Sequence, residues 1–300
     1  MHLLQSPLQD HRPFHQKAIG LGRALPLIAF FLATLLLANA LQLLSPLLLP
    51  FSRKTFRAYN RFCAGSWWQS SVWIAEHICH YKLKIQGDEL PNNENAIVIC
   101  NHQEMPDILL LLMLGAQKKQ IGNLKWFAKN MIKYVPGVGW GMVFLDCIFL
   151  KRNWAADRSL IQASFAKYLR EKIPFWLILF PEGTRLRKHK LKRAAEFAAS
   201  RGLRPPRHVL LPKPRGFAAA LTGLRSEIRA VYDVTIAYNG GVPTLMQLLN
   251  GAATGARMNV RRFPVEMLPT DEREIAEWLR IRFVEKDQLL SELLQQDPGI

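Results

Sequence analysis

A chain of 300 residues with 49% hydrophobic content can bury a full α/β core, so one main domain with an appendage is expected. Lys plus Arg total 40 against 23 Asp plus Glu, a formal charge of +17 with a pI near 10.0. That excess points to anionic partners (phospholipid head groups, phosphorylated substrates or nucleic acid), and the apolar content leans towards a membrane surface. The four cysteines, Cys63, Cys79, Cys100 and Cys147, form no C-x-x-C pair, which argues against a disulfide or zinc framework and for reduced thiols in a cytosol-facing protein.

In chain order, the first signal is apolar. No charge interrupts Ala24 to Ser52. As a helix, Ala24 to Ser45 spans roughly 33 Å, enough for a hydrocarbon core of ~30 Å. Pro46 and Pro50 argue against a longer straight helix. A cleaved signal peptide is the alternative, since "ANA" at Ala38 to Ala40 imitates a cleavage site. Against it, apolar residues continue past Ala40 and a long leader precedes Ala24. Arg12, Lys17 and Arg23 on one side balance Arg53, Lys54, Arg57 and Arg61 on the other. That symmetry fits a segment that enters and returns to the same face. Arg61 to Ile78 is then the returning or interfacial helix. Trp67, Trp68 and Trp73 belong either at head-group depth or in the core. Residues 1–80 read as a membrane-anchoring helical region and 81–300 as an α/β domain.

After Tyr81 strand-length apolar runs alternate with amphipathic helical patterns. The expected strands are Ala96 to Cys100, Met142 to Leu150, Pro174 to Phe180, His208 to Leu211, Ala230 to Tyr238 and Met258 to Met267. Asn153 caps a helix running to about Lys172, with Ile161, Phe165, Tyr168 and Leu169 on one face. A terminal helix begins at Thr270 and turns Ile275, Trp278, Leu279 and Phe283 inward. The pattern predicts an α/β fold: a mostly parallel sheet flanked by helices, preceded by the N-terminal membrane-associated helical segment. Ligands of such sheets bind beyond the carboxyl ends of the strands.

Two polar stretches leave predicted strands directly. In "NHQEMPD", His102 and Asp107 lie five residues apart, which on a straight helix would turn them about 140° from one another. They converge only if His102 sits in the turn and a helix begins near Pro106, a residue suited to the first helical position. Asp107 then faces the imidazole and fixes its tautomer. No serine or cysteine nucleophile is evident beside them, so His102 deprotonates a substrate hydroxyl directly. The plainer alternative is a capped helix with a chance histidine. In "FPEGTR", Gly183 permits a tight turn and close ligand approach. Arg185 offers a planar fork for a phosphate. Glu182 is a partner for that arginine or for a substrate hydroxyl. Arg187, Lys188, Lys190, Lys192 and Arg193 add a positive field, some of it an ordinary solvated face.

These residues resemble the glycerolipid acyltransferases of the lysophosphatidic acid acyltransferase type. "NHQEMPD" is similar to the family's N-H-x-x-x-x-D signature, and "FPEGTR" to its third block. "KNMIKYVPGVGWGMVFLDCIFLKR", Lys129 to Arg152, resembles the second, and "VLLPKPRGF", around Pro212, the fourth. "YDVTIAY", Tyr232 to Tyr238, looks most like the branch with lysocardiolipin acyltransferases and their bacterial relatives. The resemblance covers roughly Leu90 to Tyr238, and four blocks in order are far more specific than one. One departure is Glu104, where the family commonly has a small hydroxyl residue. It adds negative charge near the base and bears on which acceptor head group is admitted.

The resemblance implies acyl transfer from a thioester, acyl-CoA or acyl-carrier protein, to the free hydroxyl of a lysophospholipid, most simply 1-acylglycerol-3-phosphate. It makes His102 the general base and Asp107 its orienting partner. Glu182, Gly183, Thr184 and Arg185 hold the acceptor phosphate, with Arg152 or Lys129 adding charge. It requires no metal or bound cofactor, because the thioester carries the activation. The bilayer is both attachment site and source of acceptor, with the active site on the cytoplasmic side. Two other classes fit parts of the pattern. A basic nucleic-acid-binding protein matches the charge but lacks a recognition motif. A hydrolase would use the same pair to activate water, though no Gly-x-Ser-x-Gly elbow is present for an acyl-enzyme.

Overall fold

The computed structural model describes residues 5–151 and 153–295. Helix α1 (Phe14–Leu44) is followed by a 3-10 turn at Ser45–Leu48, where Pro46 ends the α-helical pattern. The chain turns back at Ser52, whose Oγ accepts from the Thr55 N–H at 3.1 Å and caps α2 (Arg53–Trp73). The two helices pack together as a hairpin. The apolar run is therefore read correctly, but α1 starts ten residues before Ala24 and accommodates Pro26 within it. By length and composition alone, α1 with its 3-10 extension can cross a membrane, and its outer leucines, Leu25, Leu32, Leu36, Leu37 and Leu41 among them, are exposed. Trp67 packs inward, edge-on to Phe31 and donating to Thr34 Oγ1 at 3.2 Å, whereas Trp73 is half exposed.

The sheet has seven strands: β1 (Lys82–Gly87), β2 (Ala96–Cys100), β3 (Leu124–Lys129), β4 (Ile148–Leu150), β5 (Trp176–Leu179), β6 (Ala230–Tyr238) and β7 (Gly255–Pro264). Their order is β1-β7-β6-β2-β5-β3-β4, and all neighbours are parallel except β6 and β7. The five strands from β6 to β4 thus end on one edge. Side chains of β2 alternate between two cores: Val98 and Cys100 face the layer containing α3 (Pro106–Gln117), while Ile97 and Ile99 face α5 (Trp154–Arg170), α7 (Pro214–Leu224) and α9 (Glu272–Gln295). Burial on both faces explains why β2 and β5 are continuous apolar runs, while the equally buried β6 pairs its one carboxylate, Asp233, with Arg261 and Lys286.

The sequence reading departs from the fold in three places. Most of Met142 to Leu150 is not strand. The chain forms α4 (Val138–Phe144), turns at Asp146 with φ +59°, and keeps only β4 extended. A short buried apolar run does not distinguish helix from strand, and the helix here starts upstream of the run, where Gly139 packs against backbone. A Cβ on Gly139 would lie 2.0 Å from the Ile132 carbonyl oxygen. Residues 208–211 form a bend and irregular chain, not a strand. The N–H groups of His208 and Val209 bond Asp287 Oδ1 at 2.6 and 3.2 Å, and that of Leu210 bonds Glu182 Oε2 at 2.9 Å. Carboxylates replace the neighbouring strand there. Strands β1 and β3 were absent from the expectation, because lysines interrupt "KLKIQG" and "LKWFAK". The Asn153 cap and the buried faces of α5 and α9 are as expected.

Candidate active site

Three adjacent parallel strands deliver the site. β2 ends at Cys100 and releases His102, β5 ends at Leu179 and releases Phe180 to Arg185, and β6 ends at Tyr238. Beyond the last β2–β6 backbone pair the side chains continue the ladder. Asn101 accepts from the Ile236 N–H at 2.8 Å and donates to the Ile236 carbonyl at 3.0 Å, and Gln103 Nε2 donates to the same carbonyl at 2.9 Å. The turn is thereby held rigid before the helix starts.

Helix α3 begins at Pro106, and Asp107 lies in its first turn. Asp107 Oδ2 is 2.8 Å from His102 Nδ1 and accepts from the Gln103 and Glu104 N–H groups at 2.6 and 3.0 Å. Its Oδ1 accepts from the Tyr238 hydroxyl. Donors from His102, Gln103, Glu104 and Tyr238 therefore converge on this wholly buried carboxylate, three of them on Oδ2. An Nδ1–H donating to Asp107 leaves Nε2 as the unprotonated ring nitrogen. The imidazole stacks on Phe180, ring centres 4.0 Å apart, which fixes its plane. The two side chains meet because His102 sits in the turn and the helix begins at Pro106, as the five-residue spacing requires. Tyr238 is a third member that the sequence reading quoted without a role, and burial pushes its phenol well above the ordinary value.

The "FPEGTR" turn comes up beside it, with Gly183 at φ +71° and its N–H on the Phe180 carbonyl at 2.9 Å. Glu182 has a different task from the phosphate contact expected of it. It is 2% exposed, and its two oxygens accept from the backbone N–H groups of His102, at 2.7 Å, and Leu210. It ties three chain segments together beneath the site. Burial pushes its pKa up to about 8, against the pull of those two donors. Arg185 is partly exposed at the rim and pairs with Glu104, as does Arg187 at 2.6 Å. Thr184 Oγ1 accepts from Lys190 at 2.5 Å. Lys129 is exposed at the end of β3, and Arg152 lies outside the described residues.

His102, Lys129, Gly183, Thr184 and Arg185 all line one cleft of about 1330 Å³. Its far wall is Ile28, Phe31, Leu32 and Leu35 of α1, with Trp67 and Trp68 of α2, so the N-terminal hairpin closes the site as well as preceding it. Lys213 and Arg215 also line it, with Lys213 against Gly183. Neither was singled out in the sequence, although "PKPR" directly after an apolar run was a legible signal. An imidazole, cations and an apolar trough in one cleft can hold an amphiphile with its polar end at the imidazole.

Residues 82–239 match the profile of the acyltransferase family, and residues 247–298 match that of an acyltransferase C-terminus. The chain belongs to the acyltransferase family. Within that family it is 36% identical over 291 residues to the 1-acyl-sn-glycerol-3-phosphate acyltransferase 2 of Brassica napus, covering 94% of this chain and 75% of that protein. It is 34% identical over 264 residues to the gamma form of that enzyme from Homo sapiens, covering 86% and 70%. The fold is similar to the crystal structure of the 1-acyl-sn-glycerophosphate acyltransferase of Thermotoga maritima, with a TM-score of 0.59, 18% identity, and 93% and 97% of the two chains covered. The acyltransferase assignment makes this chain an O-acyltransferase and the fold the mostly parallel α/β type expected.

Proposed function

We propose that this acyltransferase moves a fatty acyl group from an acyl thioester, acyl-CoA or acyl-carrier protein, to the free hydroxyl of 1-acylglycerol-3-phosphate, giving phosphatidic acid. The observation that carries this reading is a His102–Asp107 pair opening onto an apolar cleft with Arg185 at its rim. His102 Nε2 takes the hydroxyl proton as the oxygen attacks the thioester carbonyl. A C–O bond forms, the C–S bond breaks, and the departing thiolate receives the proton back from His102. Asp107 holds the tautomer and stabilises the imidazolium. Arg185, with Lys129 and Lys213 nearby, takes the acceptor phosphate, while Gly183 lets it approach the backbone. The names of the relatives support the acceptor.

Residues 1–80 act as the membrane anchor, with α1 inserted and the active site on the cytoplasmic face. Four cysteines without a disulfide fit a reducing compartment. The test is lipid mass spectrometry of the purified protein given a panel of lysophospholipids with acyl-CoA or acyl-carrier protein. New diacyl product that requires both substrates supports the proposal. Free fatty acid released equally with and without acceptor would show a hydrolase instead.

A further inference from the structure

The side chain that stands out beside the cleft is Glu104, which meets it through the lining residue Arg185. Its two oxygens take the two nearest guanidinium groups, Oε1 from Arg185 and Oε2 from Arg187 at 2.6 Å. Oε1 also accepts from the Met105 N–H at 3.1 Å, and Arg187 is steadied by the Gln103 carbonyl at 3.1 Å. The carboxylate is 17% exposed, against 41% and 40% for its arginine partners, so it lies inside the fork they make. Burial raises its pKa, but the bonds from Arg187, Met105 and Arg185 outweigh this and leave it below the ordinary carboxylate value. Its backbone N–H is fixed on Asp107, so only the side chain can leave.

We propose that Glu104 determines acceptor specificity by filling, in the resting enzyme, the anion seat on Arg185 that the acceptor phosphate must take. This rests on the reading of Arg185 as the phosphate contact. A carboxylate offers one charge and two oxygens. A phosphomonoester offers about −1.5 to −2 near pH 7 and three strong acceptor oxygens. A phosphodiester head group offers one charge and two free oxygens, no better than the resident carboxylate. The monoester therefore displaces Glu104 and the diester does not. Once displaced, the carboxylate also repels a second anion at the rim, which sharpens the choice.

The experiment compares steady-state kinetics of the full-length protein with 1-acylglycerol-3-phosphate and with 1-acylglycerol-3-phosphoglycerol, at saturating acyl-CoA. Glu104→Gln and the smaller Glu104→Ser are measured beside the parent and Arg185→Gln. In both Glu104 variants KM for the diester falls by about tenfold, the worth of one charge-assisted contact, and KM for the monoester falls less. The selectivity ratio collapses while kcat stays within about threefold, and retained kcat certifies the fold. A raised KM for the monoester in both variants would make Glu104 a brace for the arginines and overturn the proposal. So would an unchanged ratio in either variant that keeps its kcat. If Arg185→Gln raises KM while the Glu104 variants change nothing, this proposal alone fails. If Arg185→Gln leaves KM unchanged, or the parent acylates neither acceptor, the underlying reading fails with it.

Discussion

At the scale of single residues, the site is a carboxylate network around one histidine. Asp107→Asn offers His102 an amide in place of an acceptor-only group and breaks tautomer control, so kcat should drop by about a hundredfold or more with little change in acceptor KM. His102→Ala should abolish transfer with the fold intact, because no large core volume is lost. Circular dichroism with acyl-transfer assays separates the two effects, and near-normal turnover would refute the mechanism. Tyr238→Phe leaves Asp107 Oδ1 buried without its donor, which should cost about 1–3 kcal/mol of stability and lower kcat. Glu182 adds a pH signature. Its folded pKa, about 8, lies above the ordinary 4.5, so the folded state keeps a proton that the unfolded state has released. Its stabilising contribution is full below about 4.5 and is lost as pH rises through about 8. Melting temperature should fall across that window, and Glu182→Gln should flatten the fall at the cost of one of the two backbone hydrogen bonds, from His102 or Leu210. An equal slope in both proteins would remove Glu182 as its source.

At the scale of elements, the legible features were those with local causes. Pro106 fixed where α3 begins and so left His102 in the turn before it, and the five-residue spacing did the rest. The Asn153 cap and the apolar stripes of α5 and α9 were read for the same reason. What was not legible depended on distant partners. Glu182 belonged with the acceptor contacts until its oxygens were seen to meet His102 and Leu210, and the Tyr238–Asp107 bond spans 131 positions in the chain. Lysine-bearing β1 and β3 lacked an apolar run, yet Lys125 is buried within β3. Helix α4 was hidden because its apolar residues suit a strand equally well, while its close backbone packing at Gly139 depends on the Ile132 turn. Gly139→Ala puts a methyl into the Ile132 carbonyl, which backbone cannot cheaply yield. Helix α4 carries Val138, Gly141 and Met142 into the cleft wall, so this change should lower the melting temperature and the activity together. A fully active, equally stable Gly139→Ala protein would contradict that packing.

At the scale of the whole molecule, the N-terminal hairpin holds the helix long and apolar enough to cross a membrane and also forms one wall of the candidate site. Of the cations counted at its ends, Arg57 is paired with Asp146 and Glu171, Arg12 with Asp10, and Arg23 donates to the carbonyls of Leu249 and Ile78. They are committed to the protein, which weakens any argument from them about orientation. Residues 5–13, ahead of α1, are also tied down, Pro7 bridging Val242 and Gln5 bonding Tyr238. Deleting residues up to about Leu49 should therefore do two things. It removes the insertable helix, leaving attachment to the basic surface and anionic lipid, which salt screens within about 10 Å at 0.1 M. It also strips Phe31 and Leu35 from the cleft wall, so activity should fall sharply even in detergent, where attachment no longer matters. Vesicles of anionic lipid washed in low and high salt test the first part. The full-length protein should stay bound in both, because hydrophobic insertion is insensitive to screening, and the truncated form should stay bound only in low salt. A full-length protein released by salt alone would rule out insertion. A truncated protein as active in detergent as the intact one would show that α1 is an anchor and nothing more.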